Sequence, residues 1–287
     1  MKIRLSYSID QLRDYSTLFL RNEVCKWLNN DFSSINQKVQ TYDLVFAHKD
    51  ISYLQYIRHI YKVLAKNYPN EYIYKNELLN KWLKKEFANK DSVIFNEFRI
   101  GKAIADLAIF NGTSKVFEIK TILDKEYRLS NQLEEYKRIF NEIYLVVPEL
   151  HLDKYMAYDS SIGVISYDST EGVFRLIRKA VSNKRPDFST VMEILHTREY
   201  KNIVETYYGM LPEMNDFNQF QICKELIRKI PSDEMNGLFI HAMKKRNINN
   251  QFFNKINSEL NQVCLSLNLN KTQKENLLNI LKTKISI

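Results

Sequence analysis

Apolar residues recur at three- and four-residue spacing through DQLRDYSTLFLRNEVCKWLNNDF and again through ISYLQYIRHIYKVLAKNY. That is the stripe of an amphipathic helix, so residues 1–75 are predicted to be helical. Asp10 is placed to cap the first helix, and the Tyr68-Pro69 pair closes the second, because a residue before proline is pushed out of the α region. A further helix is predicted from Lys75 to Ala88, with Leu78, Leu79, Trp82, Leu83 and Phe87 on one stripe. From Ser92 the period changes. SVIFNEFRI, AIADLAIF and KVFEIKTI are short, rich in branched and aromatic residues, and separated by breaks at Gly101-Lys102 and Asn111-Gly112-Thr113. They predict three strands, the second and third joined as a hairpin.

Helical spacing returns in RLSNQLEEYKRIFN, with Ser130 as the expected cap and Leu133, Tyr136, Ile139 and Phe140 as the buried stripe. EIYLVVPEL gives a fourth strand, and IGVISYD with GVFRLIRK reads as a small edge hairpin. Beyond Asn183-Lys184-Arg185-Pro186 the pattern is helical to the end. The predicted organisation is a helical region over 1–75, an α/β core over 76–182 and a second helical region over 183–287.

Composition narrows the function classes. A chain of 287 residues with 45% hydrophobic content can bury a core, which excludes disorder as the main state. Cys25, Cys223 and Cys264 are too scattered for a zinc ribbon or a disulfide framework, and the five histidines show no metal-ligand spacing. No stretch approaches a membrane span or a signal peptide, so a cytoplasmic protein with no membrane partner is expected. No GxxxxGK[ST] segment is present. Lys plus Arg exceed Asp plus Glu by 42 to 34, a net charge of +8 that suits a polyanionic partner.

The chemistry is concentrated between Glu97 and Tyr136. Side chains alternate across a strand, so Glu118 and Lys120 of VFEIKT share one face while Phe117, Ile119 and Thr121 share the other. Asp106 lies in the apolar strand ADLAIF, which the hairpin sets beside the third. An Asp, a Glu and a Lys in such strands are costly to bury without a partner or a cation. Two carboxylates and a backbone carbonyl are the hard oxygen donors that Mg²⁺ takes, and a lysine beside them can orient a water or stabilise charge on a phosphate.

At these residues the sequence resembles the PD-(D/E)XK nuclease superfamily. Asp106, the hairpin, and Glu118-Ile119-Lys120 match its motif, and Gln132-Leu133-Glu134-Glu135-Tyr136 resembles its glutamine-and-tyrosine motif. The run from Asn96 to Leu152 is similar to a family of largely uncharacterised bacterial members, and the likeness covers about 60 residues. The resemblance implies a restriction-endonuclease-like αβββαβ core with a mixed four-stranded sheet and a Mg²⁺- or Mn²⁺-dependent nuclease. Asp106 and Glu118 would be metal ligands with the Ile119 carbonyl, Glu97 an additional acidic ligand, and Lys120 the catalytic lysine. Gln132 and Tyr136 would support the site or touch DNA, and Arg128 would contact a phosphate. Ile104 stands where the family usually has arginine, so Arg99 or Lys102 would take over that contact. The implied activity is DNA phosphodiester hydrolysis, in defence against foreign DNA or in repair, and a homodimer would supply two sites for two strands. The alternative is a non-catalytic nucleic-acid-binding or protein-interaction scaffold on the same fold.

Overall fold

The computed structural model describes residues 7–84, 92–124, 127–246 and 257–286. Residues 85–88 of the predicted 75–88 helix lie outside them. Contacts divide the chain into two units. One takes Met1–Lys84, Asp168–Val173 and Asn249–Ile287, and the other takes Lys85–Tyr167 and Phe174–Ile248.

The first unit opens with α1 (Ile9–Ser16), α2 (Arg21–Leu28), α3 (Ser33–Tyr42), α4 (Leu44–Ala47), α5 (Tyr53–Asn67) and α6 (Glu71–Glu77). Ser8 rather than Asp10 caps α1, its Oγ accepting the Gln11 N–H at 3.1 Å. Asp10 sits in the first turn, where a carboxylate still suits the helix dipole. The stretch read as one helix from residue 10 breaks after a 3₁₀ turn at Thr17–Phe19, because Leu20 is extended. Leu18 and Phe19 stay buried through the break, so the apolar spacing does not register it. α5 ends before Tyr68-Pro69, as its sequence predicts, and starts with a Ser52/Gln55 capping box that the spacing does not reveal.

The second unit carries β1 (Val93–Ile100), β2 (Ala103–Phe110), β3 (Ser114–Ile119), α7 (Leu129–Lys137), β4 (Glu142–Pro148), α8 (Leu152–Met156), β5 (Gly163–Asp168) and β6 (Val173–Arg178). Helices α9 (Phe188–Ile194), α10 (Thr197–Tyr208), α11 (Gln219–Ile227) and α12 (Ser232–Lys244) follow. The protein is thus mixed α/β, with one six-stranded sheet in the order β1-β2-β3-β4-β5-β6. β1, β2 and β3 pair antiparallel, while β3–β4 and β4–β5 are parallel. The expected sheet of four strands is therefore extended by the segments read as a separate edge hairpin. Ile143 to Val147 are all buried, which is the mark of a strand covered on both faces and flanked on both edges. α7 begins at Leu129 with no side-chain cap, so Ser130 lies inside the helix instead of capping it.

The boundary expected at 183 also moves. Val191 and Met192 of α9 and Phe239 and Met243 of α12 share one buried cluster with Val116, Leu145 and Val147 of the sheet. Phe110 anchors it, its ring 5.6, 5.7, 5.9 and 5.7 Å from those of Phe95, Phe98, Phe140 and Phe239. The chain then returns to the first unit as α13 (Asn261–Ser266) and α14 (Lys271–Leu281). There Arg58 Nε donates to Glu259 Oε1 at 2.7 Å, and Asn76 Oδ1 accepts the Gln262 N–H at 2.9 Å. Helical periodicity reports that a segment buries a face, not which layer receives it.

Gly163 shows how closely β5 meets β4. A Cβ there would stand 2.4 Å from two ring carbons of Tyr144 and 2.8 Å from the Ala180 nitrogen. Gly163→Ala is expected to cost about 1–3 kcal/mol by overpacking, read as a lower urea midpoint at unchanged slope. An unshifted midpoint would mean that the ring moves aside freely. No helix among the described residues is long and apolar enough to cross a membrane.

Candidate active site

The sheet opens where the sequence concentrates its charge. β2 and β3 pair from Phe110↔Ser114 to Leu107↔Phe117, and there the ladder ends. Asp106 and Glu118 occupy the next opposed positions. The Ile119 N–H, which points toward β2, is taken by Asp106 Oδ2 at 2.7 Å, so a carboxylate replaces a ladder carbonyl. The β1–β2 ladder runs through Asn96↔Leu107 and Phe98↔Ala105 and skips the step between them. That step opposes Glu97 to Asp106. Glu97, Asp106 and Glu118 therefore stand in one transverse row on three neighbouring strands.

Glu118 and Lys120 share a face, as alternation predicts. Lys120 Nζ lies 2.8 Å from Glu118 Oε1, and both side chains are buried, with residue exposures of 2% and 8%. Phe117 points to the other face, stacked on Tyr144 at 5.4 Å. α7 supplies the rest of the network. The Tyr136 hydroxyl is 2.7 Å from Glu118 Oε2 and 3.0 Å from the Ile104 carbonyl, the two acceptors open to its proton. Gln132 Oε1 accepts from Lys120 Nζ at 3.4 Å, and Gln132 Nε2 reaches the Tyr136 hydroxyl at 3.5 Å. Tyr136 is fully buried, with its hydroxyl turned to the Glu118 carboxylate. The Ile104 carbonyl is a site member that a reading of side chains alone misses.

Burial, first, and the neighbouring Asp106 charge, second, push the Glu118 carboxyl up to about 7, against the pull of Lys120 and Tyr136. Burial opposes the charge on Lys120, but Glu118 outweighs it and the ammonium is held above its ordinary range. Burial and then Glu118 likewise raise the Tyr136 phenol.

Other predicted residues are placed elsewhere. Glu97 is exposed and has a left-handed φ of 56°, which breaks the alternation of β1. Phe95 and Phe98, three apart, consequently lie on one face with rings 5.1 Å apart. Glu97 lines a recess with Arg99, Glu193 and Arg246. Among the described residues no three Asp, Glu, His or Cys side chains gather to hold a metal ion, so the expected ligand set loses Glu97. What remains is Asp106, Glu118 and the Ile119 carbonyl. These are hard oxygen donors, the kind that Mg²⁺ or Mn²⁺ takes. Lys102, Arg128 and Gln132 line a cleft of about 500 Å³ together with Ile104, Asn131, Glu134 and Glu135.

Fold and site define a mixed α/β protein with a buried carboxylate–lysine–tyrosine network at a sheet opening. Residues 64–269 match the model of the family described as Bacteriophage P4 protein cII, and the chain belongs to that family. It is 30% identical over 134 residues to protein cII of Enterobacteria phage P4, an alignment covering 45% of this chain and 51% of the relative. The chain thus spans about half the length of the curated relative it matches. A solved structure of a protein of unknown function from Silicibacter pomeroyi matches 49% of this chain and 93% of its own, at 12% identity and a TM-score of 0.32. A likeness that slight does not bear on the site.

Proposed function

We propose that the protein is a metal-dependent deoxyribonuclease of the PD-(D/E)XK type, with β1 to β4 and α7 as its restriction-endonuclease-like core. The observation that carries this reading is the Asp106–Glu118 opposition at the point where β2 leaves β3, with the Lys120 ammonium on the Glu118 face. Asp106, Glu118 and the Ile119 carbonyl would hold Mg²⁺ or Mn²⁺. The ion would supply charge neutralisation at the scissile phosphate and a more acidic water. Lys120 would orient that water or steady the transition-state charge, while Tyr136 and Gln132 fix the carboxylate and the ammonium. Arg128 and Lys102 would contact phosphates. The partner is DNA in the cytoplasm, with a two-fold pair of chains as the simplest way to cut both strands.

One observation favours the scaffold alternative. Both Glu118 oxygens already have partners, Lys120 and Tyr136, so the network is satisfied without an ion. The deciding experiment incubates the purified protein with supercoiled plasmid, linear duplex and single-stranded DNA in Mg²⁺, Mn²⁺ or EDTA, beside Glu118→Ala. Metal-dependent cutting by the parent alone is expected, together with a rise in melting temperature on adding Mn²⁺. No cutting and no metal-dependent stabilisation would leave the scaffold.

A further inference from the structure

A second polar site lies at the opposite end of β3 from the carboxylates. There the β2–β3 turn, the start of β4, residues 182–184 and α12 border a recess of about 710 Å³. Most of the length of β3, about 13 Å between Ser114 and Glu118, separates the two places. Asn141, only 2% exposed, ties the walls of the recess together. Its Oδ1 accepts the Ser114 N–H at 2.9 Å and the Thr113 hydroxyl at 3.1 Å. Its Nδ2 donates to the Asn183 carbonyl at 2.7 Å and to Asn236 Oδ1 at 2.9 Å. Asn236 is also buried, at 8%, but only its oxygen is engaged. Its Nδ2 has no acceptor among the described residues, and the side chain lines the recess. A buried donor left unpaired costs free energy that the fold alone does not return.

Gly237 borders the same recess from the interior of α12. A glycine inside a helix gives up stability relative to alanine. Neither usual reason for one applies here: its φ is not left-handed, and a Cβ on it would meet nothing within 4 Å. The residue keeps open a space that the fold does not need. A water molecule would satisfy Asn236 but would not use that space, so the two observations together point to a ligand.

The charges balance, Lys184 and Lys244 against Glu142 and Asp233, so placement decides what fits. Asp233, Asn236, Gly237, His241 and Lys244 form one stripe along α12, with about 12 Å of helix between Asp233 and His241. Among the described residues the side chains of Asp233, Lys184 and His241 have no hydrogen-bond or ion-pair partner. Asp233 and Asn236, three apart, are neighbours on the stripe, and so are His241 and Lys244. One end therefore offers an amide donor beside a carboxylate acceptor, and the other an imidazole beside an ammonium. A free amino acid, with its charges a few bonds apart, cannot span the two. Inorganic phosphate would reach the second end and leave the first unused. A base edge that sets an acceptor beside N–H donors complements the first end. Guanine does this best, because O6 adjoins two neighbouring N–H groups that one carboxylate can take together. A 5′-phosphate, with up to two charges and three acceptor oxygens, suits the other end.

We infer that this recess binds a guanine nucleotide, its base edge on Asn236 and Asp233 beside the opening at Gly237, and its phosphate at His241 and Lys244. The inference goes beyond the nuclease reading, and cleavage at the far end of β3 does not enter its test.

Isothermal titration calorimetry in EDTA compares GMP with AMP, guanosine and inorganic phosphate. GMP is expected to bind at least about tenfold more tightly than each of the others. Gly237→Leu fills the opening and should weaken GMP binding at least about tenfold while the melting temperature stays level or rises. Asp233→Asn changes an exposed side chain, so the fold is kept whatever Gly237→Leu does to it. It should weaken GMP about tenfold and AMP less than twofold, which removes the preference. No binding of GMP, equal affinity for GMP and AMP, phosphate binding as tightly as GMP, or GMP binding untouched by Asp233→Asn would overturn the inference.

Discussion

Lys120→Met destabilises the protein by about 3–5 kcal/mol at pH 8, the scale for removing one partner of a buried ion pair, and by far less at pH 5. Methionine keeps the length and apolar stem of the side chain, so the packing of β3 is retained and the change isolates the charge. Glu118 is then left buried with only the Tyr136 hydroxyl on Oε2. The sign of the pH dependence follows from its proton. In the parent the Glu118 carboxyl is raised from 4.5 to about 7, chiefly by burial, so its stabilising contribution is present below pH 4.5 and lost as pH rises through 7. Without Lys120, which pulls that value down, the carboxyl titrates higher still and the loss above neutrality grows. At pH 5 the protonated carboxyl needs no counter-charge in either protein. Urea unfolding at the two pH values measures the difference. An equal loss at both would mean that Lys120 acts through its hydrocarbon stem, and that Glu118 is hydrated well enough to stand alone.

The parts of this arrangement that could be read in the sequence are those set by short-range rules. Alternation along VFEIKT places Glu118 and Lys120 on one face, and a tight turn at Asn111-Gly112 forces β2 beside β3, which brings Asp106 into range. Helical spacing in α7 aims Tyr136 at the sheet together with Leu133. Those rules fail where the backbone leaves its regular period. Glu97 looks like a strand residue, but its left-handed φ turns it out of the row that it shares with Asp106 and Glu118. Such a conformation in a non-glycine residue is held by tertiary contacts and leaves no mark in composition. The same limit applies to the layers. The apolar stripes of α12 and α13 look alike, yet one covers the sheet and the other closes on α6, through contacts such as Gln262 with Asn76, 186 positions apart in the chain. Partners at that separation are chosen by shape and hydrogen bonding, to which a window of a dozen residues is blind.

Asp106→Asn separates the two roles that the geometry gives this carboxylate. As a structural group, Asp106 is an acceptor: its Oδ2 completes the Ile119 N–H at 2.7 Å where the ladder ends. Asparagine keeps a carbonyl oxygen for that bond. As a charge, Asp106 raises the pKa of Glu118 and, under the nuclease reading, is one of the two carboxylates that would hold the ion. Asparagine discards both effects. Metal-dependent cleavage is therefore expected to fall by at least about 10²–10³-fold, the scale for losing one charge-stabilising group at a developing anion. Stability without metal at pH 8 should be unchanged or higher by up to about 1 kcal/mol, since easing the neighbouring carboxyl by one pKa unit is worth that much. Cleavage rates and urea midpoints in EDTA test the pair of outcomes together. A variant that is less stable yet cuts at the parental rate would show Asp106 to be a ladder acceptor only. One that is as stable as the parent and inactive would show charge held at a sheet opening for chemistry, at a small standing cost to the fold.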